Sequence, residues 1–226
     1  MKRFLIHITL SCFLFLGCWS LGIIMVGDFF PEAFQKNLRY HPGAYGHMYS
    51  RIQEADTIQQ IDILVLGSSH AYRGFDPRIF KANEINLFNF GSSSQTPLQS
   101  YHLLKDYRAQ LQPKMVILEC YPTLLNSDGV ESALDIISNK TIEKETIKMA
   151  VKTNNVSVYN TLIYSLYEDL NGNKAAFEEP LYKERDGDTY IPGGYVEKKS
   201  NTLKRHRSKQ PEPSNLRTNK FEHSKP

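Results

Sequence analysis

The chain has 226 residues, enough for one domain of ordinary size, and its 41% hydrophobic and 23% charged content permits a packed core. The net charge of +3 is uneven: residues 198–226 carry nine Lys or Arg against two Glu, which leaves 18 basic and 22 acidic side chains elsewhere. A basic excess confined to a tail argues against a nucleic-acid-binding fold, whose basic footprint lies on a folded element, so no nucleic-acid partner is expected.

Residues 4–27 hold no Lys, Arg, Asp or Glu over 24 positions. As a helix they would reach about 36 Å, enough to cross a bilayer core. Lys2 and Arg3 precede the stretch, and the positive-inside bias then puts the N-terminus in the cytoplasm and the rest outside. A cleaved signal peptide is the alternative, but its apolar core is normally shorter and ends in small residues. Phe15-Leu16-Gly17-Cys18 also has the outline of a lipoprotein cleavage site, with Phe in place of the usual Leu and nine more mostly apolar residues following. The reading adopted is an uncleaved anchor over 1–27, a single-pass span with a membrane partner.

Residues 28–60 read as an extracytoplasmic linker, rich in aromatics, Pro and Gly, with a short polar helix over 47–59. Ile61 to Leu66 is an apolar run rich in Ile and Val, which suits a buried strand. It stops at Gly67, with Ser68, Ser69 and His70 next. Asp76-Pro77 opens a short helix to Ala82, with Asp as cap and Pro in the first turn. Ile85 to Phe90 is a second strand, ending in Gly91-Ser92-Ser93-Ser94. Thr96-Pro97-Leu98-Gln99 has the form of a capping box for a helix whose Leu98, Tyr101, Leu104, Arg108 and Leu111 share a face. Met115 to Leu118 is a third strand, continuing into Glu119-Cys120-Tyr121-Pro122.

Strand, helix, strand, helix, strand at these intervals predicts a parallel sheet. Residues 129–170 have a helical pattern broken near Asn154-Asn155. Asp186-Gly187-Asp188 and Pro192-Gly193-Gly194 read as turns. The polar, basic segment 198–226 reads as disordered. Cys12 and Cys18 lie in the anchor and Cys120 at a strand end, which leaves no disulfide framework; Cys120 reads as a small buried residue. No His and Cys stand at metal-ligand spacing, so neither metal nor cofactor is expected.

In open α/β sheets ligands bind at the carboxyl ends of the strands, where both Gly/Ser turns fall. A serine there serves as a nucleophile when a base lies beside it. With Gly67-Ser68-Ser69 and Gly91 at successive strand ends, residues 60–125 resemble the SGNH (GDSL-like) hydrolases, in particular membrane-anchored members of the bacterial envelope. The resemblance implies a three-layer α/β sandwich with a central parallel sheet, flavodoxin-like, over 61–197. It makes Ser69 the nucleophile and Gly91 an oxyanion-hole donor, with Ser68, His70, Ser92 and Glu119 about the pocket. It also implies action on acyl groups of a cell-surface polysaccharide at the cytoplasmic membrane.

The chain departs from that pattern twice. Glu119-Cys120-Tyr121-Pro122 stands where the family has Gly-x-Asn-Asp, and an ionised Glu119 can accept but not donate to an oxyanion. No Asp-x-x-His follows residue 122; the later histidines are His206 and His223, both in the tail. His70 adjoins Ser69 and His102 lies on a helix, and neither is a convincing general base. The functional expectation is therefore an anchored esterase or O-acyltransferase without an identified base. The alternatives are a non-catalytic binding domain of the same fold and a truncated, inactive product.

Overall fold

The computed structural model describes residues 1–184 and 187–198; the expected disordered tail, Lys198 apart, lies outside them. The first element is a single 28-residue helix, α1 (Lys2–Phe29), with a mean hydropathy of 2.1 over its most apolar window. Ile23 alone among its residues is buried, so it is long and apolar enough to cross a membrane.

Behind it come α2 (Met48–Thr57), β1 (Ile63–Leu66), α3 (Ser69–Gly74), α4 (Pro77–Lys81) and β2 (Leu87–Asn89). Then follow α5 (Pro97–Leu111), β3 (Met115–Leu118), α6 (Val130–Asn139), α7 (Lys144–Thr153) and α8 (Val156–Leu170). Three short strands close the described chain: β4 (Tyr182–Lys183), β5 (Asp188–Ile191) and β6 (Tyr195–Lys198).

The fold is mixed α/β around a parallel sheet of order β2-β1-β3. Ile63 is paired with Leu87 on one side and Met115 on the other. Alternation along the strands assigns side chains to the two faces. Leu64, Leu66, Phe88 and Phe90 pack with apolar residues of α2, α5, α6, α7 and α8 in the main core. Val65 and Leu87 pack on the opposite face with Ala71 and Phe75 beside α3 and with Phe80 of α4. Burying one Leu or Phe on such a face contributes roughly 1.5–3 kcal/mol, so the sheet is held from both sides.

The turn signals placed several boundaries correctly. Asp76 accepts from the Arg78 amide at 2.9 Å with Pro77 at the first position of α4, and Asn155 caps α8 through the Ser157 amide. Asn154 ends α7 in the left-handed region at φ 50°.

Other expectations need correction. The segment between Ser69 and Gly74 is a helical turn of its own, too short to show a 3.6-residue period. Thr96 makes no side-chain bond to the backbone of α5; its hydroxyl bonds the Gln99 carboxamide oxygen instead. The buried face of α5 carries Gln99, His102, Leu103, Tyr107 and Leu111, while Tyr101 and Arg108 are exposed. The helix is rotated because His102 Nδ1 meets Glu145 Oε2 of α7 at 2.9 Å in the interior. Cys120 is exposed, since no described residue covers the end of β3.

Between Asn171 and Lys198, where the hydrophobic pattern weakens, the described residues form further strands. β4, β5 and β6 form an antiparallel sheet, and Pro192-Gly193-Gly194 is the β5–β6 turn. That turn lies against β2: the Asn89 amide donates to Gly193 O at 2.8 Å. A Cβ on Gly194 would stand 2.0 Å from Asn89 O, so only glycine fits at this φ of +81°.

Arg51 of α2 binds three loops together. It is fully buried and donates from Nε to Gly194 O (3.0 Å), from Nη1 to Gly91 O (2.7 Å) and from Nη2 to Gly46 O (2.8 Å). Tyr72 covers its guanidinium at 4.8 Å. The guanidinium keeps its proton in proteins, so burying it requires this full set of acceptors.

Candidate functional site

The carboxyl ends of β1, β2 and β3 meet at one end of the parallel sheet. Gly67, at φ +148°, brings the chain so close to β3 that a Cβ would stand 2.6 Å from Glu119 Cβ. Gly91 is held as tightly: its Cβ would stand 2.8 Å from Gly67 O, and the Ser92 amide donates to that oxygen at 3.1 Å. Both Gly/Ser turns thus occupy the same edge of the sheet.

Ser68 is the hub of the first turn. Its amide and its hydroxyl both donate to Glu119 Oε2 at 2.8 Å. The same oxygen atom, Ser68 Oγ, accepts from the His70 amide at 3.3 Å and caps α3. His70 Nδ1 lies 3.1 Å from Ser68 Oγ, and the imidazole is tilted against Tyr121 at a centroid distance of 4.6 Å. With the Ser68 proton given to Glu119, the Nδ1 contact requires an Nδ1–H. Serine therefore stands between histidine and carboxylate. A nucleophilic triad needs the imidazole between them, so Ser68, His70 and Glu119 form a turn-closing network.

Ser69 is left apart from that network. It is half-buried, its hydroxyl makes no hydrogen bond among the described residues, and its amide, first in α3, has no intrahelical partner. His70 is exposed and directed to Ser68. The Gly91 amide donates to Asn89 Oδ1 at 3.2 Å, and that contact occupies the expected oxyanion donor.

The second turn is tied to α6. Ser92 is buried, with its Oγ 2.7 Å from Ser132 Oγ. Ser93 Oγ donates to Glu131 at 2.5 Å, and the Ser93 amide approaches Asp135 Oδ2 at 3.4 Å. Asp135 is buried, and burial pushes its carboxyl up to about 7 against the opposing pull of the Ser93 amide and Arg51. Two adjoining clefts open beside this turn. One, of about 450 Å³, is lined by Asp135, Glu131, Ser138 and His41; the other, of about 770 Å³, by Ser93, Tyr72, Arg73, Lys183 and Asp188. Ser69, His70 and Glu119 line neither. Across the second cleft Arg73 and Asp188 form a two-pronged ion pair at 3.0 and 2.7 Å.

Sequence reading missed Arg51, Asn89 and Asp135. Arg51 sits in a polar helix with no motif around it. The other two carry a signal, each being a lone polar residue inside an apolar run, LFNF and ALDII. Among the described residues no three His, Cys, Asp or Glu cluster so as to hold a metal ion. No family model matches the chain, and neither a curated protein nor a solved structure matches it.

Proposed function

We propose that the protein is a membrane-anchored SGNH-like domain that handles acyl groups of envelope polysaccharide, with Ser69 as the acyl-accepting nucleophile. The observation that carries this reading is the meeting of the two Gly/Ser turns at the carboxyl ends of adjacent parallel strands, with the Ser69 hydroxyl of the first turn without a hydrogen-bond partner among the described residues. Helices against both faces of the sheet suit a three-layer, flavodoxin-like sandwich. In this reading α1 is an N-in anchor in a bacterial cytoplasmic membrane. The Ser69 oxygen attacks an acyl carbonyl and the Ser69 amide faces the developing oxyanion.

The acyl group then passes to water or to a sugar hydroxyl. Turnover is slow, because no described base stands at the serine; oxyanion donors and binding alone leave ~10³–10⁴-fold acceleration over water. His206 and His223 lie outside the described residues.

A non-catalytic glycan-binding role is the second reading. It is favoured by the Gly91 amide being taken by Asn89 and His70 being held on Ser68. Labelling by a serine-reactive phosphonate separates the two: the enzyme reading predicts an adduct that Ser69→Ala abolishes, and the binding reading predicts none.

A further inference from the structure

The domain does not merely follow α1; it leans on the outer turns of that helix. Trp19 Nε1 donates to Asn160 Oδ1 of α8 at 3.2 Å, and Tyr164 OH donates to Asp28 Oδ1 at 2.8 Å. Gly27 allows the contact, since a Cβ there would lie 2.2 Å from the Tyr164 ring. Gln35 Nε2 donates to the last carbonyls of α1, reaching Phe30 O at 2.8 Å. At 1.5 Å per residue α1 is about 42 Å long, against a hydrocarbon core of about 30 Å. About 20 residues from Phe4 fill that core. The helix then leaves it near Trp19 to Ile23, where the domain contacts begin and where an interfacial tryptophan belongs.

A groove of about 670 Å³ lies along that exit. Its lower wall is apolar: Phe15, Cys18, Trp19, Gly22 and Val26 of α1. Its upper end is formed by Gln35, Lys36, Asn37 and Asn160. A Cβ on Gly22 would meet nothing within 4 Å, so this glycine leaves the groove open. Lys36 has no carboxylate within ion-pair distance among the described residues, and neither has Arg39, which lines the next cleft with it and with Glu32. An apolar channel at the depth of upper acyl carbons, ending at headgroup depth in an ammonium without an ion-pair partner among the described residues, has the chemistry of one molecule.

We propose that this groove holds an anionic phospholipid of the surrounding leaflet, its acyl chain along Phe15–Gly22 and its phosphate at Lys36. The proposal rests on α1 spanning the membrane and not on any chemistry at Ser69. A cation near an anionic membrane surface is worth roughly a fivefold preference.

Trp19 is the only tryptophan of the chain and lines the groove, so it reports occupancy directly. The full chain is placed in phosphatidylcholine vesicles containing a minor fraction of brominated phosphatidylglycerol or of brominated phosphatidylcholine. Flotation checks anchoring, and Trp19 quenching is read. The expected result is an apparent affinity about fivefold higher for the brominated anionic lipid. Lys36→Gln should remove that preference, and Gly22→Leu should lower quenching to that of bystander lipid at an unchanged Trp19 emission maximum. Equal quenching by the two lipids in the wild type overturns the proposal. Floating protein that neither lipid quenches, with Cys18 cross-linked between copies, gives the groove to a second anchor helix and also overturns it. A chain that does not float removes the span on which the site depends.

Discussion

The two edges of the parallel sheet are built in opposite ways. Beyond β2, the β5–β6 turn is hydrogen-bonded to Asn89, Gly194 sits on the strand, and Arg51 joins that turn to Gly91 and Gly46. Beyond β3, no strand follows among the described residues, and Met115 and Leu118 are 57% and 44% exposed. By register Val116 and Leu118 project to the face that α5–α8 cover at Leu64 and Leu66, but they stay exposed among the described residues. The same kind of apolar strand is core at one edge and surface at the other. Burial here is decided by what the connecting chain brings alongside, not by the strand's own composition. Glu119 hangs from the end of the open strand, so the first turn is braced from the exposed side of the sheet and the second from the covered one.

Substitutions at the two edges should separate them sharply. Arg51→Leu leaves the buried Gly91 and Gly194 carbonyls and the half-buried Gly46 carbonyl without this donor, and should cost on the order of 3–5 kcal/mol in denaturant unfolding of the full chain. A loss below 1 kcal/mol would mean that the closed edge is not held by this cation.

Next in size is a pH effect on the same side. The Asp135 carboxyl is raised to about 7 in the folded chain from an ordinary 3.8. The folded state then holds the proton more tightly than the unfolded one. This stabilisation is complete below the ordinary value and is lost as pH rises through about 7. Stability should fall by a few kcal/mol (order of magnitude) between pH 4 and pH 8, and Asp135→Asn should flatten that slope. The variant would be the more stable protein at pH 8; an unchanged slope would place the titrating group elsewhere.

The smallest effect belongs to the open edge. Leu118→Lys should change stability by less than about 0.5 kcal/mol, because its side chain has little burial to lose. The same change should reduce self-association in light scattering, since a charge on an unpaired strand opposes edge-to-edge pairing. A loss of 2 kcal/mol would show that β3 is covered in solution.

The parallel core was legible in the sequence because β1, β2 and β3 are apolar runs that stop at Gly, Ser or a charge, and that punctuation survives folding. The place where two turns meet was legible for the same reason. The partner of each turn was not. Local pattern gives no hint that Glu119 would take Ser68 instead of Ser69's neighbourhood, or that Arg51, forty residues before Gly91, would bind its carbonyl. The face of α5 was misread because the buried His102–Glu145 pair breaks the rule that polar residues face out. The β4–β6 sheet escaped because strands of two to four residues with alternating polar side chains carry little periodic signal.

The polar network of the first turn closes on Ser68, and the Ser69 hydroxyl, without a hydrogen-bond partner among the described residues, is the nucleophile proposed for this turn. Mapping a fluorophosphonate adduct by peptide mass spectrometry tests it most directly. The expected result is a slowly formed adduct on Ser69 that is lost in Ser69→Ala. An adduct on Ser68, or labelling that survives Ser69→Ala, would contradict it.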